Sequence, residues 1–138
     1  MKDGHSDEEI RKILSEYKNV CVVGASRNEE KDAHQIPLYL IKKGYNVIPV
    51  NPNSEEIFGR KCYKSIADVN EPIDIVDIFR PSADVYQIAV DAIPKHPKVI
   101  WMQEGIENEK AKELAESNGI TVVYNRCMFK EHFRLFGN

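Results

Sequence analysis

VCVVGASRNEEKDAHQIP, residues Val20 to Pro37, decides the fold. An apolar, β-branched run meets a glycine, then a serine, then a group of charged residues, and a helix-like pattern begins. An apolar run without polar alternation reads as a strand buried on both faces, the habit of parallel sheets covered by helices. Strand, glycine turn and helix is also the order of a phosphate-binding unit, in which an anion meets free amides and the positive end of the helix dipole. The pattern here is G-x-S-x-x-E, so the second and third glycines of the dinucleotide fingerprint are missing. The place after the second strand, where an acidic residue would take the ribose hydroxyls, holds Asn51-Pro52-Asn53. Both departures argue against NAD(H).

Working outward, the same alternation continues. Further strands are read at NVIPVNP (46–52), IDIVDIF (73–79), KVIWMQ (98–103) and ITVVY (120–124). Ser6 and Glu9 form a capping box ahead of Ile10, Ile13, Leu14 and Tyr17, which recur on one helical face. A second helix starts between Asp32 and His34, with Pro37 in its first turn, and stops at Gly44. A third is capped by Ser82, a fourth spans 108–118 before Gly119, and FKEHFRLF (129–136) closes the chain as a short helix. Residues 54–72 carry a glycine turn and one helical turn at Ser65–Val69 instead of a full crossover helix. The expectation is an α/β, Rossmann-like, three-layer fold: an open five-stranded parallel sheet with helices on both faces, in the order 3-2-1-4-5. Residues 1–138 form one domain, with 1–18 as an N-terminal helical arm.

The chain has 138 residues and a net charge of −3, with no polybasic run, which excludes bulk nucleic-acid binding. No apolar stretch approaches a membrane span, and MKDGHSDEEI is too polar for a signal peptide. Cys21, Cys62 and Cys127 are too few and too scattered for a disulfide framework or a zinc site, so a cytoplasmic chain with reduced thiols and no metal is expected.

Ligands of open parallel sheets lie outside the carboxyl ends of the strands. Every strand here ends in polar groups: Gly24-Ala25-Ser26-Arg27, Asn51-Pro52-Asn53, Phe79-Arg80-Pro81, Gln103-Glu104-Gly105 and Asn125-Arg126-Cys127. Three of the five ends bring an arginine. Gly24 permits a tight turn, Ser26 offers a hydroxyl, and Arg27 and Lys31 add positive charge. Cys21, Trp101 and Met102 read as strand interior, and Cys127 as a packed strand end rather than a redox thiol.

The run VVGAS…IPLYLIKKGYNVIPVNPNSEEIFGRKCYKSIADV…DIVDIFRPS…VIWMQEGIENEKA…VVYNRCMFKEHFRL resembles the stand-alone CoA-binding proteins, themselves similar to the N-terminal domain of the succinyl-CoA synthetase α subunit. The resemblance covers residues 19 to 136. It implies that Gly24, Ala25, Ser26 and Arg27 form the phosphate loop and that Pro52 and Asn53 contact the cofactor. It implies further that Phe79, Arg80 and Pro81 lie against the nucleotide and that Met102, Gln103 and Glu104 line the ligand. Arg126, Cys127 and His132 match the family's tail motif, while Asn125 stands where many relatives carry Asp. The ligase's phosphohistidine domain and its β subunit have no counterpart here, so the ligase reaction does not transfer.

The function expected is therefore binding of coenzyme A or acyl-CoA by a carrier, sensor or partner module, with no catalytic residue assigned. The residues placed in the site are Gly24, Ala25, Ser26, Arg27, Lys31, Asn51, Pro52, Asn53, Phe79, Arg80, Pro81, Met102, Gln103 and Glu104. Two rivals stand beside it: an NAD(P)-binding oxidoreductase or redox sensor, and an interaction scaffold with a vestigial nucleotide site. A homodimer is the base-rate expectation for a sheet protein of this size.

Overall fold

The computed structural model describes residues 2–137; Met1 and Asn138, the ends of the expected domain, lie outside the described residues. In chain order the elements are α1 (Asp7–Glu16), β1 (Asn19–Val23), α2 (Asp32–Lys42), β2 (Asn46–Val50), β3 (Glu56–Ile57), β4 (Arg60–Lys61), β5 (Ile75–Ile78), α3 (Val85–Ala92), β6 (Val99–Met102), α4 (Glu109–Ser117), β7 (Thr121–Val123) and α5 (Met128–Phe136). Single 3₁₀ turns stand at Ile66–Asp68, Ser82–Asp84 and Ile93–Lys95.

The five expected strands are β1, β2, β5, β6 and β7, and all neighbouring pairs are parallel. The open Rossmann-like sheet is as expected, but its order is β2-β1-β5-β6-β7, or 2-1-3-4-5 counting the expected strands. The order 3-2-1-4-5 is thus corrected, and the point where chain direction reverses lies between β1 and β5. The cause is visible beside β2. Its outer edge, where the third strand was expected, is taken by the segment after β4: Tyr63 donates its amide to the Pro49 carbonyl at 3.0 Å and accepts from the Asn51 amide at 2.9 Å. With that edge paired, the chain returns across the sheet through Ile66, Val69 and Ile73, all buried, and joins β1 on its other side.

The hairpin β3–β4, which sequence patterning did not separate from the loop, turns at Phe58 and Gly59, both with positive φ. This is the geometry of a tight two-residue hairpin turn.

Side chains alternate between two cores. Cys21, Ile48, Val76, Ile78, Ile100 and Met102 pack under α3 and α4, while Val20, Val22, Val47, Ile75, Val99 and Trp101 pack under α1, α2 and α5. The Ser6–Glu9 capping box opens α1 as expected. Pro37, however, lies in the second turn of α2, not the first, because the helix starts at Asp32. Ser82 does not cap α3, whose N-cap is Asp84. Instead, the Ser82 hydroxyl accepts from the Glu107 amide and its carbonyl accepts from the Asn108 side chain, tying the loop after β5 to the loop after β6.

Candidate functional site

Three loops converge at the carboxyl edge of the sheet, and Gly24 sets their spacing. Its amide donates to the Val50 carbonyl, and the Phe79 amide donates to the Val23 carbonyl, so the ends of β2, β1 and β5 are laced together. Gly24 has φ +93°, and a Cβ there would stand 2.6 Å from the Phe79 carbonyl oxygen and 3.1 Å from Cδ of Arg80. Only glycine allows this approach. On either side of the contact the edge is hollow.

On the α3 side, a cleft of about 700 Å³ is lined by Gly24, Asn51, Pro52, Asn53, Lys64, Ser65, Ile66, Arg80, Gln87 and Ile88, among others. On the α2 side, a cleft of about 450 Å³ is lined by Lys31, Ala33, Ile36, Phe79, Arg80, Pro81, Gln103, Glu104, Ile106 and Cys127, among others. Arg80 borders both. Its guanidinium pairs with Asp84 at 3.0 Å in an exposed setting, where an ion pair is worth little and yields readily to a stronger anion.

The loop after β1 is fixed by its own backbone. Pro37 has no N–H, so the carbonyl of Ala33, four residues earlier, lacks its usual helical partner, and the Ser26 amide donates to it at 3.2 Å. The Ser26 hydroxyl accepts from the Asn28 amide, and the Ser26 carbonyl meets Nδ1 of His34 at 2.7 Å. The Ser26 amide is therefore spent on the fold. The cleft is met instead by Lys31, Asp32 and Ala33 at the start of α2, whose N-cap residue, Lys31, makes no capping hydrogen bond through its side chain. The amides of Asp32 and Ala33 are the helix-end donors of this edge, since that of Lys31 is taken by the Asn28 carbonyl at 3.1 Å.

Ten of the fourteen expected residues border the two clefts: Gly24, Lys31, Asn51, Pro52, Asn53, Phe79, Arg80, Pro81, Gln103 and Glu104. Four do not. Ala25 is fully buried, and its carbonyl accepts from the Asn51 side chain. Met102 is fully buried in the core under α3 and α4, because it points to the opposite face from Trp101. Ser26 is held as described, and Arg27 is exposed away from both clefts. Arg126 does not join the edge either. It donates to both carboxylate oxygens of Asp3, to Glu131 at 2.6 Å and to the His5 carbonyl. His132 is buried against Tyr39, whose hydroxyl lies 2.8 Å from its Nδ1. Burial holds the His132 ring below its ordinary pKa, with Lys18 and Lys43 adding to the effect. The tail residues Arg126 and His132 thus build the fold rather than the clefts.

One polar side chain at this edge went unread in the sequence. Asp77, midway along β5, is fully buried between Val22 and Trp101 on the neighbouring strands. Its Oδ1 accepts from the Gln103 side-chain amide at 2.6 Å, and its Oδ2 has no partner among the described residues. The Gln103 side-chain oxygen, Oε1, accepts in turn from the Met128 amide at the start of α5. Burial pushes the Asp77 carboxyl up to about 7, against the opposing effect of the Gln103 hydrogen bond. Of the two acids in IDIVDIF, Asp74 stands at the start of the run, but Asp77 stands among the apolar residues of a strand buried on both faces, and that was the available signal.

Residues 18–133 match the model of the CoA binding domain. The chain belongs to the CoA-binding domain family. Within it, the uncharacterised protein YneT of Bacillus subtilis is 34% identical over 127 residues, covering 92% of this chain and 94% of that protein. A hypothetical protein from Pyrococcus horikoshii superposes with a TM-score of 0.95 at 44% identity, covering 98% of this chain and 95% of that one. The ADP-forming acetate–CoA ligase of Methanocaldococcus jannaschii is 32% identical over 126 residues, covering 85% of this chain but only 18% of that enzyme. Among the described residues, no helix is long and apolar enough to cross a membrane.

Proposed function

We propose that this chain binds coenzyme A across the carboxyl edge of the sheet. The phosphorylated adenosine lies in the α3-side cleft, and the pantetheine arm crosses the Gly24–Arg80 contact into the α2-side cleft. The observation that carries this reading is the pair of clefts joined at Arg80: an elongated ligand with anionic groups near one end needs two recesses and a cation between them. Lys64 adds a second cation to the α3-side cleft, and Lys31 with the first amides of α2 serves the other. NAD(H) is disfavoured at Asn51, which donates to the Ala25 carbonyl and accepts from the Asn53 amide. It presents no carboxylate to a ribose.

The role is that of a carrier, sensor or partner module, and the buried free thiols are compatible with a cytoplasmic setting. Calorimetric titration with CoA, 3′-dephospho-CoA, NAD and NADP tests the reading. CoA is expected to bind tightest, and Arg80→Ala to weaken it roughly tenfold or more with folding retained. Equal binding of NAD and CoA, or no binding of any nucleotide, overturns it.

A further inference from the structure

The α2-side cleft does not end at Cys127. A recess of about 330 Å³ shares Asp32, Ile36, Glu104 and Cys127 with it and runs on between α2 and α5 to Tyr39 and Phe129. We infer that this recess is a subsite for the acyl group of an acyl-CoA, taking an apolar chain that leads away from the thioester. The inference rests on the CoA reading above and deepens it.

Several features fit an acyl chain. Ile36, Tyr39, Cys127 and Phe129 give the recess an apolar wall set in advance, while Asp32, Gln35, Glu104 and Lys130 make up its polar half. The Tyr39 and Phe129 rings meet edge to face with centroids 4.7 Å apart, and the Tyr39 hydroxyl is held by His132. Cys127 lies at the junction, and burial pushes its thiol above the ordinary range. It therefore serves as wall rather than as nucleophile. The rim is the Lys130–Glu104 pair, 2.8 Å apart and mostly exposed on both sides, which parts at little cost. The recess also accounts for Phe129, which is 36% exposed although large and apolar. A ligand chain lying against it would remove that surface from water.

Each methylene fully buried is worth about fourfold in affinity. The recess is open on one side, so hexanoyl-CoA is expected to bind about tenfold tighter than acetyl-CoA or free CoA. Calorimetric titration of the intact chain with these three ligands reads the effect directly. In Phe129→Ala, the hexanoyl preference is expected to fall below threefold while affinity for free CoA is unchanged, with circular dichroism confirming the fold. Equal binding of CoA and hexanoyl-CoA by the wild type overturns the subsite while leaving the CoA reading in place. A hexanoyl preference that survives Phe129→Ala overturns it as well. Failure of all three ligands to bind overturns the CoA reading, and the subsite with it.

Discussion

The side-chain amide of Gln103 donates to Oδ1 of Asp77 at 2.6 Å, inside the sheet and beneath the α2-side cleft. Among the described residues, it is the sole hydrogen bond to the fully buried Asp77 carboxyl. Burial lifts Asp77 from its ordinary 3.8 to about 7. Between those values the folded chain keeps a proton that the unfolded chain has released. The contribution is therefore complete below about pH 4 and is lost as pH climbs through 7. Relative to Asp77→Asn, wild-type stability is expected to decline from pH 5 to pH 8 by about 3 kcal/mol. Urea unfolding at four pH values measures it. A difference between the two proteins that does not change with pH would show an ionised carboxylate at every value.

Gly24 offers a second prediction. An alanine there places Cβ 2.6 Å from the Phe79 carbonyl and forces φ +93° on a residue that resists it. The obstacle is backbone on both sides, so no rotamer change relieves it. Gly24→Ala is expected to destabilise by at least about 2 kcal/mol and to weaken CoA binding as the clefts part. Thermal melting with and without CoA separates the two effects. A melting point within a degree of wild type would mean that β1 and β5 do not come this close.

The third concerns Arg126, one of three arginines expected at the strand ends. Its partner Asp3 has a side chain with 0% exposure, and Arg126 itself retains 18%. Arg126→Met leaves Asp3 buried without its cation, an arrangement that costs about 3 kcal/mol or more. Chemical denaturation is expected to show that loss. CoA affinity in the surviving folded fraction is expected to match wild type, since Arg126 borders neither cleft. A selective loss of CoA affinity with stability intact would return Arg126 to the binding edge.

What the sequence made legible was decided by local chemistry. The Ser6 capping box, the glycine stop at Gly44 and the five apolar strands each depend on a few adjacent residues, and each stands in the structure. The strand order was not legible, because it depends on Tyr63 pairing with the outer edge of β2, a contact that no apolar pattern announces. The strand-end rule pointed to the edge where the two clefts lie, but it treats every residue after a strand as equal. Met102 was misplaced because alternation along β6 sends it to the face opposite Trp101. Arg126 was misplaced because its acidic partner sits 123 positions earlier in the chain. Asp77 escaped because attention to strand ends passes over strand centres.

Pro37 gives the molecule one more property. By withholding a hydrogen from the Ala33 carbonyl, it leaves an acceptor for the loop after β1, and the Ser26 amide takes it. The entrance to the clefts is thus shaped during folding, before any ligand arrives. Little freedom remains there to be surrendered on association, so the encounter resembles a key meeting a finished lock more than a hand closing.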